Sequence, residues 1–188
     1  MMSPKAIKSA AQAGHYFEHD DYYVDGLSPS GWVGSGAAAL GLSGDVDRET
    51  FRALLEGQLP DGQRLGTVRD GEWKHQPGID LTFSAPKSVS ILAEVAGDQR
   101  LLEAHDEAVK ATLRYIEQEY IITRNRNRAE NTVDYEKTAS MVAATFKHTT
   151  SRALDPFLHT HSVVMNATQR ADGQWRSIEN KPLFIDQK

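Results

Sequence analysis

The sequence predicts an α+β fold, with helices packed on one face of a largely antiparallel sheet. Three observations lead there. Ile79–Ser84 alternates apolar and polar residues, so Ile79, Leu81 and Phe83 share one face of a strand and Asp80, Thr82 and Ser84 the other. From Asp98 to about Tyr120, Leu102, Val109, Leu113 and Ile116 recur at helical spacing. Val142–Thr149 and Leu158–Asn166 suit strands, and the stretch between them, Thr150–Phe157, holds the loop dipeptide Asp155-Pro156. These two read as an antiparallel hairpin.

The remaining elements follow in chain order. Ser3-Pro4 reads as the N-cap and first position of a helix that Gly14 stops. An aromatic and acidic stretch, His15 to Tyr23, comes next. Gly26–Gly44 is loop-rich, with a small-residue helical turn at Ala37–Leu40. Asp45 or Asp47 caps a short amphipathic helix through Phe51, Leu54 and Leu55 to Gly57, and Pro60-Asp61-Gly62 is a turn. Ser84 caps a helix over Lys87–Ala96 that is apolar on most sides, which predicts burial; Gly97 ends it and Asp98 caps the long helix. Asn125–Asn131 reads as a polar, basic loop and Thr132–Tyr135 as a strand. Asp172-Gly173 is a tight turn between Val163–Gln169 and Trp175–Ile178. The face opposite the helices carries Asp80 and the hairpin histidines.

Composition narrows the classes. A chain of 188 residues with 25% charged and 39% hydrophobic residues is that of an ordinary globular domain. No apolar stretch reaches the ~18 residues of a membrane span, so membrane insertion is not expected. The absence of cysteine excludes disulfides, thiolate metal sites and cysteine nucleophiles, and is compatible with a reducing cytoplasm. The net charge of −5 is unlike that of most nucleic-acid binders, but net charge does not report distribution. One basic cluster, Arg124–Arg128, stands out, and Lys147, Arg152, Arg170, Arg176 and Lys181 flank the histidines.

The chemistry is concentrated in His148, His159 and His161. His159 and His161 stand at i and i+2, on one face of a strand, and the hairpin brings His148 beside them. Three neutral imidazoles can bind one divalent metal and leave positions open for a substrate, which is the pattern of a catalytic rather than a structural site. Asp80, on a strand face, can accept the second ring N–H of a ligand histidine or take a proton from a nucleophile. Tyr16, Tyr22 and Tyr23 are candidate nucleophiles. A free phenol, with a pKa of ~10, needs a metal or a base to become one. Imidazole softness suits zinc, nickel, cobalt or copper.

Several stretches resemble conjugative relaxases of the MobF class, the F-plasmid type within the HUH endonucleases. They are Tyr16 after Ala13-Gly14-His15, Tyr22-Tyr23, Leu54–Gly57 with Leu59–Gly62, Asp80–Ser90 (DLTFSAPKSVS), Ala104-His105, and Thr150-Ser151-Arg152 through Asp155-Pro156 to Leu158–Val164 (LHTHSVV). The resemblance covers nearly the whole chain. It implies the HUH relaxase fold and a relaxase domain over residues 1–188, incomplete at its C-terminal end, in a family whose members often carry a helicase behind it. It implies a metal-dependent, strand-specific nick at a plasmid transfer origin, through a covalent 5′-phosphotyrosine.

The resemblance assigns His148, His159 and His161 as metal ligands and Tyr16 as the tyrosine of the first nick. Tyr22 and Tyr23 match the pair thought to act in termination, and Asp80 the aspartate that orients a ligand histidine. It implies one divalent ion, Mg2+ or Mn2+ in use, with Zn2+ or Ni2+ found bound. The implied partners are single-stranded origin DNA, relaxosome accessory proteins and the coupling protein of a type IV secretion system. The expected state is a monomer in the bacterial cytoplasm, carried to the recipient on its DNA. Lys87, Arg152 and Arg170 are candidate phosphate contacts. One departure is Phe17, which stands where relatives often have a second tyrosine.

Two other readings fit the same residues. A metal-dependent phosphodiesterase using bound water needs no tyrosine and leaves no protein–DNA adduct. A module that only binds single-stranded DNA leaves the strand intact.

Overall fold

The structure is a computed structural model, which describes residues 1–10, 29–127, 130–151 and 153–185. The strands are β1 (Met2–Ile7), β2 (Ser30–Val33), β3 (Thr67–Arg69), β4 (Glu72–Lys74), β5 (Gly78–Ser84), β6 (Ile122–Asn127), β7 (Thr132–Lys137), β8 (Ala143–Thr150), β9 (Pro156–Met165), β10 (Thr168–Gln169) and β11 (Trp175–Arg176). The helices are α1 (Ser35–Ala39), α2 (Arg48–Leu55), α3 (Lys87–Glu94), α4 (Gln99–Tyr120) and α5 (Lys181–Ile185). Five strands form one antiparallel sheet in the order β1-β5-β9-β8-β2, and β3-β4, β6-β7 and β10-β11 are separate two-stranded ribbons.

The sheet centre is the part the alternation predicts. β5 pairs with β9 so that Thr82 lies opposite His161 and Ser84 opposite His159. β8 pairs with β9 so that His148 lies opposite His159. On the other face, Ile79, Leu81 and Phe83 pack against Val109, Leu113 and Ile116 of α4. The Asp98 side chain caps α4 by accepting from Arg100 N at 3.2 Å, and Asp47 caps α2 by accepting from Thr50 N at 2.8 Å. Gly57 follows α2 at φ 79°, where an added Cβ would lie 2.5 Å from the Leu65 carbonyl oxygen, so both conformation and space require glycine.

The histidine face is not bare. Val142, Ala144 and Phe146 precede His148 on the same face of the segment that forms β8, and they pack against α2. Phe51 meets Phe146 edge-on, with ring centroids 5.5 Å apart. A second core therefore fills most of that face and leaves the histidines at its end.

Five expectations are corrected. The segment opening at Ser3-Pro4 is a strand: β1 lies at the sheet edge, where proline's missing N–H removes no ladder bond from an interior strand. The predicted continuation of that helix to Gly14 passes outside the described residues. Ser84 does not cap α3; it ends β5, and Pro86 takes the N-cap position without a side-chain bond.

Nor is α3 buried on most sides. Ser90 and Ala93 are its buried residues, while Ile91 is 43%, Leu92 52% and Val95 71% exposed. The helix sits on its small-residue side, and Leu158 N donates to Ser90 Oγ at 3.0 Å. The basic run expected as a loop opens within strand β6, because arginine and asparagine alternate there without an apolar face that periodicity could register. Finally, β2, in the glycine-rich segment, forms the second sheet edge. Gly34 ends it at φ 107°, against the Met141 carbonyl.

Candidate metal and nucleic-acid site

His148, His159 and His161 converge at the open end of the β8-β9 pair. Their ring centroids are 5.1 Å (His148–His159), 5.4 Å (His148–His161) and 5.2 Å (His159–His161) apart. Three imidazoles holding one ion through nitrogens at ~2.1 Å in tetrahedral directions would place their ring centres roughly 5 Å apart. The spacing therefore fits one ion. The orientation is less complete: no group of three His, Cys, Asp or Glu among the described residues stands as a ready-made ligand set. The His148 and His159 rings are stacked, with 22° between their planes. Lone pairs lie in the ring plane, so two near-parallel rings must turn before both can address one ion. The backbone sets the spacing, whereas side-chain torsions adjust the orientation, so the spacing is the stronger indication.

Each ring has a defined setting. His161 Nδ1 lies 2.9 Å from Asp80 Oδ2, 3.1 Å from Asp80 Oδ1 and 3.2 Å from Thr82 Oγ1. With a carboxylate as neighbour, Nδ1 carries the hydrogen and Nε2 keeps its lone pair. His159 Nδ1 donates to the Phe157 carbonyl at 2.8 Å, which fixes the same tautomer, and the Phe157 ring stacks on it at 4.6 Å. His148 is 7% exposed, and burial, followed by the nearby His159 and His161, pushes its pKa down to about 3. Burial also lowers that of His159. His148 and His159 are therefore neutral near pH 7 and have lone pairs available for a metal.

Three contributors receive no role from the motifs. Thr82 shares a strand face with Asp80, and this i, i+2 relation is the signal that points to it. Phe157 carries no such signal. His105, in the Ala104-His105 stretch of the resemblance, lies behind the sheet on α4, where its Nε2 is 3.0 Å from Thr160 Oγ1, between the two β9 histidines.

The other candidates are spread out. Lys87 Nζ donates to the Pro156 carbonyl at 2.9 Å. Arg170 is held by Glu136 at 2.6 Å and by Asp172 at 3.1 Å, so its charge is matched within the fold. Arg152, Tyr16, Tyr22 and Tyr23 lie outside the described residues.

An antiparallel sheet with a three-histidine cluster at the end of a hairpin, backed by an aspartate from the neighbouring strand, defines an HUH-type domain. The model of the TrwC relaxase family matches residues 10–188, and the chain belongs to that family. It is 46% identical over 181 residues to the multifunctional conjugation protein TraI of Escherichia coli, an alignment covering 96% of this chain and 10% of that protein. Among solved structures it is similar to the conjugative relaxase TrwC in complex with oriT DNA. The metal-bound form has TM-score 0.86 and 41% identity, covering 98% of this chain and 63% of that one. The copper-bound form has TM-score 0.84 and 42% identity, covering 97% and 63%. The chain thus spans about a tenth of the curated relative and under two thirds of the solved one.

Proposed function

We propose that this chain is the nicking and strand-transfer part of a conjugative relaxase, acting on single-stranded DNA at a plasmid transfer origin. The observation that carries the reading is the His148–His159–His161 cluster with Asp80 behind it, in a chain that is a member of the TrwC relaxase family. The metal-bound and DNA-bound forms of TrwC support the same reading.

In this mechanism the Tyr16 hydroxyl attacks the scissile phosphorus. The bond from phosphorus to the 3′ oxygen breaks, the 5′ phosphate stays on the tyrosine, and the 3′ hydroxyl leaves with a proton. The ester energy is kept, so a second hydroxyl can reverse the step and rejoin the strand. His148, His159 and His161 would hold one divalent ion, Mg2+ or Mn2+ in use. A bound ion supplies Lewis-acid stabilisation of the charge growing on the phosphoryl oxygens. Asp80 fixes His161 through Nδ1 and so aims Nε2. Tyr22 and Tyr23 serve the second transfer, which ends a round. Lys87 and Arg152 serve as phosphate contacts, whereas Arg170 has lost most of its claim to its two carboxylates. Accessory proteins of the relaxosome and a secretion coupling protein complete the reading, with action in the bacterial cytoplasm and passage to the recipient on DNA. Among the described residues no helix is long and apolar enough to cross a membrane.

The test is a denaturing gel of the protein with single-stranded origin DNA of its plasmid, with Mn2+, Mg2+ or chelator. A metal-dependent shifted band, lost in Tyr16→Phe, is the expected result. Cleavage with a free 5′ phosphate and no adduct would assign water as the nucleophile. Binding without cleavage under every metal would leave a binding module.

A further inference from the structure

The β6-β7 ribbon leaves the domain at the end of the β5-β9 pair opposite the histidines. At its base lies a cavity of about 370 Å³, lined by Arg124, Arg176, Thr123, Ser177, Glu179 and Asn180 among others. From Thr82, beside His161, to Gln76 on the cavity wall is six residues, about 20 Å at ~3.3 Å per residue. Two of the lining side chains are guanidinium groups without a carboxylate partner among the described residues. The Arg124 guanidinium makes no hydrogen bond or ion pair there, and that of Arg176 donates to the Trp175 carbonyl at 2.9 Å and to Gln174 Oε1. Arg52, Arg100 and Arg170, by contrast, are each paired with a carboxylate. Asn180 adds a buried Oδ1 with no hydrogen-bond partner among the described residues; turning that amide over would present a donor instead. The one acid among the described lining residues, Glu179, accepts from Lys181 N at 3.4 Å.

The surface continues outward from the cavity. Residues opposite each other in an antiparallel ribbon share a face, so the register places Arg124 with Tyr135 and Arg126 with Val133 on one side. Arg124 and Arg126 are exposed, and Tyr135 is 60% exposed. The opposite side is committed to the fold: Thr123 Oγ1 donates to the Ser177 carbonyl at 2.8 Å, and Glu136 holds Arg170.

We infer that this cavity and the outer face of β6-β7 form a second subsite for the phosphodiester backbone of DNA, remote from the histidine centre. The inference rests on the reading of the chain as a DNA-acting protein. A guanidinium fork matches a phosphate bidentately, and an exposed tyrosine beside it offers a stacking or sugar contact. Arg124 and Arg176 take one phosphate between them, and Arg126 takes a further one along the ribbon. An extended polyanion uses the whole row, whereas a free phosphate uses only the cavity. A chain of net charge −5 can hold DNA in this way because net charge does not set local charge: Arg124 and Arg126 share one face of the ribbon and Arg176 lies at its base.

The experiment measures how binding of a long oligothymidylate, followed by fluorescence anisotropy, depends on salt. It compares the protein with Arg124→Ala, Arg176→Ala and Arg126→Ala, and with Arg114→Ala on exposed α4 as the control. Removing one arginine–phosphate pairing from a single-strand complex lowers the slope of log K against log salt by about 0.7. The expected result is a fall of that size in Arg124→Ala and Arg126→Ala, none in Arg114→Ala, and an unchanged slope in Arg124→Lys. Circular dichroism checks that each variant is folded. Unchanged slopes in all three ribbon and cavity variants would overturn the inference. If inorganic phosphate then bound the protein and not Arg176→Ala, the cavity would belong to a free anion. The adduct gel separates this outcome from the first proposal: a protein that forms no adduct but keeps the arginine-dependent slope loses the nicking reading and not this one.

Discussion

Asp80 and His161 are 81 residues apart in sequence and 2.9 Å apart in space, Oδ2 to Nδ1, on neighbouring strands β5 and β9. Asp80 is 2% exposed, so its carboxylate is spent on this contact rather than on solvent. The pairing orients one ring of the histidine cluster without touching the ion it would bind. Asp80→Asn should therefore keep the fold and weaken divalent metal binding by about 10–100-fold, the usual cost of losing such a partner. Calorimetric titration of the protein with Mn2+ or Zn2+ checks it. Equal affinity in the variant would mean that Thr82, at 3.2 Å, is a sufficient orienting group.

Phe51 anchors α2 to the histidine face through Phe146, two residues before His148. It is 1% exposed. Phe51→Ala removes a buried ring and leaves a cavity, which costs about 3–5 kcal/mol. Urea unfolding should show that loss. Because Phe146 and His148 share a strand, the variant should also bind metal less tightly where it is still folded. A loss under about 1 kcal/mol would show that α2 settles into the gap.

These two relations mark what the sequence discloses and what it withholds. Asp80, His148, His159 and His161 are legible because strand alternation has a period of two and the Asp155-Pro156 loop separates the hairpin strands. The long helix α4 is legible from its stripe and its Asp98 cap. The second core on the histidine face is not, because Phe51 and Phe146 lie in elements whose contact is tertiary. The edge strand at Pro4 escapes for a physical reason: Ser-Pro has the same local chemistry at a helix start and on a sheet edge, and only pairing with Leu81 decides. The arginine run of β6 escapes because arginine and asparagine alternate there with nothing apolar between them, whereas its partner β7 is legible at Thr132–Tyr135.

The exposed row on α3 gives a prediction much smaller than the one its composition suggests. In a buried apolar helix, Leu92→Gln would cost several kcal/mol. With Leu92 52% exposed and the helix resting on Ser90 and Ala93, the change should stay within about 0.5 kcal/mol. Ala93→Leu, by contrast, forces bulk into the contact with β9 and should cost about 1–3 kcal/mol. Thermal or urea unfolding of the pair measures both. A large loss in Leu92→Gln would mean that this face is covered in the folded protein.

His75 gives the fold an acid-sensitive point far from the histidine cluster. Both of its ring nitrogens are buried without a hydrogen-bond partner among the described residues, and the ring packs so closely on Gly57 that an added Cβ would sit 2.8 Å from its Cγ. Burial pushes its pKa from 6.5 down to about 4. The unfolded chain therefore binds a proton below pH 6.5 that the folded chain refuses until about pH 4. The contribution to stability is intact above pH 6.5 and is lost progressively as pH falls from there toward 4. Full linkage would amount to about 1.4 kcal/mol per pH unit in that window, and partial solvent screening leaves about 1 kcal/mol between pH 7 and 5. His75→Phe cannot take up the proton in either state. Its urea-derived stability should fall less than that of the unaltered protein over the same two pH values, by about that amount. Equal pH dependence in the two proteins would show that His75 finds a partner for its proton in acid, and that the acid sensitivity resides in the other buried histidines.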